Sequence, residues 1–347
     1  MILLGILFCL WFCIAFYKSC LCIKLKLEKF DLINTLPLSA ILCLCVMMCH
    51  LSAYFSDKQE FWRQFGCWGG LAVSVFFFKA GYGLNYSLAY KGRDYLKGFM
   101  RKRFSKLVLP VFCVTFFWQI YIYSEGKTII QYAHEFLLHG ITFSPNAWFV
   151  YVICMFYIVW WVINFSIQHK TVANILMLVF VALYCFITKK ANWGGEYRLG
   201  VWAFPIGLFF QSYEEKIRLR IMVHKIKFLF VLLFISILLF GYAISGEVGL
   251  KCPGWWDLLA NMLPLIIVGL IYFTGFFQSK VLRLLGEVSY EFYIIHGCLI
   301  AMFVKYSKTY IEHPVFFIFI VVISSLIGAI MLKNLCGIIK KCFNECR

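Results

Sequence analysis

The chain has 347 residues, of which 63% are hydrophobic and 14% are charged, and its formal net charge is +17. Soluble domains carry about 25% charged residues, so this composition excludes a water-soluble globular protein. Apolar runs long enough to cross a bilayer as helices recur from one end of the chain to the other. The sequence therefore predicts an all-α protein, a polytopic bundle of membrane helices.

Eleven apolar segments are candidate transmembrane helices. In chain order they are residues 2–22, 35–55, 65–88, 104–123, 146–165, 171–188, 199–213, 226–244, 257–275, 288–304 and 313–335. The first segment has no basic residue before its apolar run and no small-residue cleavage site after it. It is therefore interpreted as an anchor helix rather than a cleaved signal peptide.

The positive charges are unevenly distributed between the loops. If the loop after the first segment is cytoplasmic, most of the 33 Lys and Arg residues fall on the cytoplasmic side. The positive-inside rule then predicts an integral protein of the cell membrane with its N-terminus outside and its C-terminus in the cytoplasm. Topology thus explains the net charge, so we expect membrane lipid around the protein and no nucleic-acid partner.

The chain divides into two unequal parts. Residues 1–30 are predicted to form an additional N-terminal transmembrane helix with a basic loop, and residues 31–347 one membrane domain with a short cytoplasmic tail. No internal repeat is evident, which argues against a transporter built from duplicated halves. The 16 cysteines lie mostly in apolar segments or on the cytoplasmic side, where thiols stay reduced.

Histidines in two parts of the chain raise the question of ligands and catalysis. The outside loop holds His134, Glu135 and His139, which are interpreted as solvated residues, so no metal is expected. His50, by contrast, lies inside the run "SAILCLCVMMCHLSAYF". At 1.5 Å per residue it lies about 22 Å above the inner end of a core about 30 Å thick. An imidazole there is either a base for an extracytoplasmic substrate or a hydrogen-bonding partner for another helix.

Other charged and polar residues mark three further positions. Lys79 is the basic residue inside a span. The segment "KGRDYLKGFMRKRFSK" either fixes topology against anionic lipid or binds a phosphorylated ligand. Ser289, Tyr293 and His296 follow one another at i, i+4 and i+7, so they share one helix face. That face either orients a substrate or bonds to other helices.

Four stretches in this order resemble the membrane-bound acyltransferase family 3. They are "LPLSAILCLCVMMCHLS", "VFFFKAGYGLNYS", "FMRKRFSKLVLP" and "LGEVSYEFYIIHG". The resemblance covers about residues 31–335 and implies a ten-helix core, to which the first helix is an addition.

The resemblance implies transfer of an acyl group, with acetyl expected, from acyl-CoA (acetyl-CoA) to a hydroxyl. The implied acceptor is a cell-envelope or capsular polysaccharide, or its lipid-linked glycan precursor. His50 is then the catalytic base, which a sugar hydroxyl needs at neutral pH. The residues expected to bind the donor are Lys79, Gly81, Tyr82, Gly83, Arg101, Arg103 and Lys106. The residues expected to bind the acceptor are Trp148, Ser289, Tyr293 and His296.

The sequence differs from the family pattern at Ser39, where a basic residue is expected eleven positions before His50. Lys106 stands in place of a second arginine, and Ala80 in place of a serine. Because Lys79 and Ser39 share a depth in the membrane, Lys79 is predicted to supply the missing charge. Two alternatives are a non-enzymatic transporter or polysaccharide export component, and an acyltransferase acting on a lipid or small molecule.

Overall fold

A computed structural model describes residues 2–20, 34–55, 60–122, 130–131, 134, 144–247, 253–275 and 279–345. Within these ranges the protein is helical and has no β-strand, which confirms the all-α prediction. Eleven of its helices coincide with the eleven apolar segments. They are α1 (Ile2–Cys20), α2 (Leu36–Ser52), α3 (Trp68–Lys91), α4 (Phe99–Ile122), α5 (Trp148–Ser166), α6 (Lys170–Lys190), α7 (Ala203–Val223), α8 (Lys225–Glu247), α9 (Pro253–Thr274), α10 (Ser289–Tyr306) and α11 (Pro314–Glu345).

The described helices confirm a polytopic membrane protein. Six of them, α3, α4, α5, α6, α9 and α11, are each long and apolar enough to cross a membrane. Two bent pairs meet the same condition together: α7 with α8, and the short helix Lys280–Glu287 with α10. The helices α1 and α2 are apolar but shorter. Eleven crossings therefore remain a prediction.

Two segments that the sequence assigned to cytoplasmic loops are largely helical. Predicted span 199–213 continues as α7 to Val223, and only His224 separates it from α8, at a bend of 108°. Similarly, α4 begins at Phe99, so the basic residues after it lie on its first turns. Apolar character marks where the bilayer ends, whereas Glu, Lys and Arg continue a helix readily in water.

The central helices α3 and α7 are in backbone contact. A Cβ atom added to Gly81 would lie 2.1 Å from the carbonyl oxygen of Phe204, and one added to Gly207 would lie 2.2 Å from that of Phe78. The two glycines therefore let the helices approach more closely than any larger residue allows.

Gly81 and Gly83, two of the residues expected to bind the donor, do not interrupt their helix. The helix α3 runs without a break from Trp68 to Lys91, because Gly81 is packed against α7. Between the glycines, the Tyr82 hydroxyl donates to Glu214 Oε2 at 2.7 Å, and the other carboxylate oxygen accepts from Tyr272 at 3.0 Å. This stretch joins α3, α7 and α9.

The N-terminal helix α1 packs on α8 and α9. Trp11 Nε1 donates to Thr274 Oγ1 at 2.9 Å, and Lys18 Nζ donates to the Thr274 carbonyl at 2.7 Å. The rings of Phe8 and Phe240 lie 5.0 Å apart. The helix is thus joined to the bundle at its middle and at its C-terminal end.

Candidate active site

His50, on the last turn of α2, lines an open cavity of about 700 Å³. The walls come from the end of α2, the turn after it and the short helices that lead into α3. The other lining residues are Cys49, Ser52, Ala53, Phe55, Arg63 and Gly66. In the predicted orientation this cavity faces the outside, so a substrate there could reach the imidazole without crossing the bundle.

His296 on α10 is brought against His50. The two ring centroids are 5.3 Å apart, with the ring planes inclined by 36°. His296 is completely buried, and its Nδ1 atom lies 3.2 Å from the carbonyl oxygen of Phe292. The polar stripe on α10 was predicted from its spacing, but its contact with His50 was not.

A parallel register between α2 and α10 produces this contact. Cys43 Sγ donates to the Ser289 carbonyl at 3.0 Å. Two helical turns farther along both helices, the seventh residue after Cys43 is His50 and the seventh after Ser289 is His296. Because both helices run in the same direction, this one contact two turns earlier places the two imidazoles side by side.

The other polar residues of the α10 stripe bond to backbone. Ser289 Oγ donates to the Gly286 carbonyl at 2.8 Å. The Tyr293 hydroxyl donates to the carbonyl of Asn146 at 3.0 Å. Asn146 has a left-handed backbone with φ of 62°, and it packs against the bare face of Gly297. The segment before α5 is therefore fixed beside His296.

Trp148 reaches this region through another ring. Its side chain is half-buried and packs 6.3 Å from Phe149 and 5.9 Å from Tyr197, between ring centroids. Phe149 in turn lies 5.5 Å from the ring of Tyr293. Trp148 thus reaches the polar stripe of α10 only through the ring of Phe149.

Lys79 contacts the N-terminal end of α2. Its ammonium donates to Ser39 Oγ and to the Thr35 carbonyl, the latter at 3.2 Å, and it lies 6.0 Å from the centre of the Phe76 ring. The contact confirms that Lys79 and Ser39 share a depth. It places a positive charge beside the position where the family pattern has a basic residue.

Arg103, on the second turn of α4, is directed into the bundle. Its Nη2 and Nε atoms lie 2.9 and 3.3 Å from the Tyr95 hydroxyl. The guanidinium lies 6.0 Å from the Phe99 ring centre and 5.7 Å from that of Tyr157, within cation–π range. Tyr95 and the two rings thus hold the half-buried guanidinium in one orientation.

Arg101 and Lys106 are exposed on the same part of α4. The acid of this segment, Asp94, forms an ion pair with Lys97 at 2.7 Å, and the hydrogen bond from Lys97 lowers the pKa of the Asp94 carboxyl. That pairing neutralises one positive charge only. The segment therefore keeps a strongly cationic surface at the predicted cytoplasmic face.

The candidate site consequently has two parts joined by α2. One part, at the N-terminal end of α2, contains Lys79 and Ser39, and the other, at its C-terminal end, contains His50, His296 and the cavity. Ser39 precedes His50 by eleven residues, or about 16 Å of helix.

The described residues offer no cluster of metal ligands. Among them no group of three or more His, Cys, Asp or Glu side chains could hold a metal ion. His134 is exposed, whereas Glu135 and His139 lie outside the described ranges. The described cysteines are free thiols.

The cavity residue Arg63 and the His50–His296 contact were not predicted from the sequence. Arg63 gave no signal because it lies outside the apolar segments and in no motif. No signal in the sequence identifies the histidine contact, because the shared spacing of seven residues becomes informative only once Cys43 is known to contact Ser289.

Comparison with known proteins identifies the family. A family model described as an acyltransferase domain matches residues 38–333. No curated protein and no solved structure matches the chain. The matched range begins in α2 and ends in α11, so it contains both parts of the candidate site. The chain therefore belongs to acyltransferase family 3 and is a membrane acyltransferase.

Proposed function

We propose that this acyltransferase is an O-acetyltransferase. It takes the acetyl group of cytoplasmic acetyl-CoA and transfers it to a hydroxyl of a cell-envelope or capsular polysaccharide, or of its lipid-linked glycan precursor. The observation that carries this proposal is the position of His50, the residue that lines the 700 Å³ cavity with a titratable imidazole. Acyl transfer to an alcohol needs a base within reach of the hydroxyl.

His50 acts as the general base in this proposal. It takes the proton of the acceptor hydroxyl while the oxygen attacks the thioester carbonyl carbon. A new carbon–oxygen bond forms, the carbon–sulfur bond breaks, and the coenzyme A thiolate leaves with the proton that the imidazolium returns. Acetyl ester and free coenzyme A are the products, so no further reactant is needed.

The donor enters from the cytoplasmic side in this proposal. The phosphates of coenzyme A require positive charge, which Arg101, Arg103 and Lys106 supply at the start of α4. Lys79 supplies a further positive charge deeper in the bundle, at the inner end of α2. The acetyl thioester then extends along α2 toward His50.

The test is acetyl transfer by purified protein in proteoliposomes supplied with radiolabelled acetyl-CoA. We expect coenzyme A release that depends on an added glycan acceptor. His50→Ala should reduce the rate about 10²- to 10⁴-fold, the usual contribution of a general base, with normal insertion in the membrane. His313→Ala, a change at an exposed histidine, is the matched control and should retain full activity.

Two results would contradict the proposal. An active His50→Ala enzyme would remove the base from its assigned role. Movement of the added glycan across the membrane without coenzyme A release would favour the export component instead. Comparing glycan acetylation in wild-type and deletion strains would identify the natural acceptor and show whether it is a polysaccharide, a lipid or a small molecule.

A further inference from the structure

We infer that His296 is a positioning residue for His50: its Nε2 atom accepts a hydrogen bond from the ring N–H of His50 during acyl transfer. This inference rests on the proposed role of His50 as the base. It follows from an unsatisfied buried atom beside the cavity.

Within the described residues, His296 Nε2 is buried and has no hydrogen-bond partner. A polar atom buried in that state destabilises the fold, and such atoms in native proteins usually have a functional or structural reason. The nearest titratable ring is that of His50, at 5.3 Å between centroids. The polar atom therefore lies next to the side chain that lines the cavity.

The protonation of His296 can be assigned from its other nitrogen. Nδ1 lies 3.2 Å from the Phe292 carbonyl, which can only accept a hydrogen bond, so Nδ1 carries the proton. In a neutral imidazole Nε2 then has a lone pair and accepts. His296 is thus prepared to accept a hydrogen bond and not to donate one from this atom.

The distance between the rings permits the bond. At a centroid separation of 5.3 Å, a His50 ring turned so that one nitrogen faces Nε2 brings the two nitrogens to the usual separation of about 3 Å. His296 itself is fixed by its neighbours, because Phe292 stacks at 6.1 Å and Tyr293 lies 5.8 Å away. His50 is half-buried at the end of α2 and is the ring that can adjust.

The bond has a specific consequence for catalysis. With one ring N–H donated to His296, the other His50 nitrogen presents its lone pair to the acceptor hydroxyl. When His50 takes the hydroxyl proton it becomes an imidazolium, and the hydrogen bond to a neutral acceptor stabilises that charge. His296 therefore selects the tautomer and orientation of the base without touching the substrate.

Two substitutions at His296 test this inference. In His296→Gln the amide oxygen can reach the Nε2 position, whereas in His296→Asn the amide reaches only the Nδ1 position. We expect His296→Asn to lower kcat roughly 10- to 100-fold, the effect of losing a hydrogen bond to a charged group. We expect His296→Gln to recover most of that loss. The KM values for acetyl-CoA and glycan should change less than about twofold, because binding does not involve this bond.

A control and a reference variant separate the possible failures. Cys298→Ala removes a buried side chain two residues farther along α10 and should leave kcat unchanged. If His50→Ala is inactive while His296→Gln and His296→Asn are equally slow or both fully active, the positioning role is wrong and the base assignment stands. If His50→Ala is active, the assignment of His50 as the general base, and with it the proposed function, is contradicted.

Discussion

Lys79 donates to neutral oxygens of Ser39 and Thr35, so these contacts use two of its three N–H groups without cancelling its charge. An ammonium within a membrane helix costs at least about 2.5–3.5 kcal/mol. Retaining it beside α2 is consistent with a need for positive charge there, as the replacement of a basic residue by Ser39 predicts.

We expect Lys79→Ala to inactivate the enzyme and the double variant Lys79→Ala with Ser39→Arg to recover part of the activity, measured as coenzyme A release. Lys170→Ala is the matched control, because Lys170 also donates to a neutral oxygen, Oε1 of Gln211, at 2.7 Å. Full activity of Lys79→Ala alone would exclude the replacement. Failure of the double variant would leave Lys79 necessary for another reason.

Arg103 is held by Tyr95, and this contact makes its predicted role in donor binding measurable. Arg103→Ala should raise the KM for acetyl-CoA more than the KM for the acceptor, and added salt should have a similar effect on the wild type. Tyr95→Phe removes the hydroxyl that orients the guanidinium but keeps the charge, so its effect on donor KM should be smaller. Unchanged donor KM in Arg103→Ala would leave the segment as a topology signal.

The close contact between α3 and α7 can be tested by substituting the glycines of α3. Gly81→Ala places a methyl group against the Phe204 carbonyl and should destabilise the fold by about 1–3 kcal/mol. Gly83→Ala meets no atom within 4 Å and should be neutral or stabilising. Thermal unfolding in detergent would measure both, and equal melting temperatures would contradict the packing role of Gly81.

Helix positions were predictable because apolarity and length are local properties of the sequence. The shared depth of Lys79 and Ser39 was predictable too, since the rise per residue fixes depth in two antiparallel helices. The extension of α7 to Val223 was missed because its polar residues are helical but not apolar. The meeting of His50 with His296, 246 residues later, depends on the lateral placement of α2 and α10. No local pattern contains that information.

The number of crossings is a property of the whole molecule, and its parity can be tested. Eleven crossings predict that the N-terminus is outside and the C-terminus is cytoplasmic, whereas any even number places both on one side. Tags at the two ends, probed with an impermeant reagent in intact and permeabilised cells, should therefore respond oppositely. Labelling of both tags in intact cells would contradict the predicted topology.

The bend of 73° between the short helix Lys280–Glu287 and α10 determines how α10 meets α2. It lets the chain pass the N-terminal end of α2, where Gly286 packs against the carbonyl of Leu36, and then turn into α10 beside α2. The parallel pair of α2 and α10 is thus built from segments that are far apart in sequence, so the histidine contact forms only when the bundle has assembled.

The 16 Å of helix between Ser39 and His50 fixes the separation between the two parts of the site. If Lys79 and His50 act on the same donor, that donor must carry its negative charge and its reactive carbonyl about this far apart. A short acyl donor, such as an acyl phosphate, could contact either Lys79 or His50 but could not reach both. Selection for an extended thioester would then follow from the length of one rigid helix and would need no pocket shaped to the coenzyme.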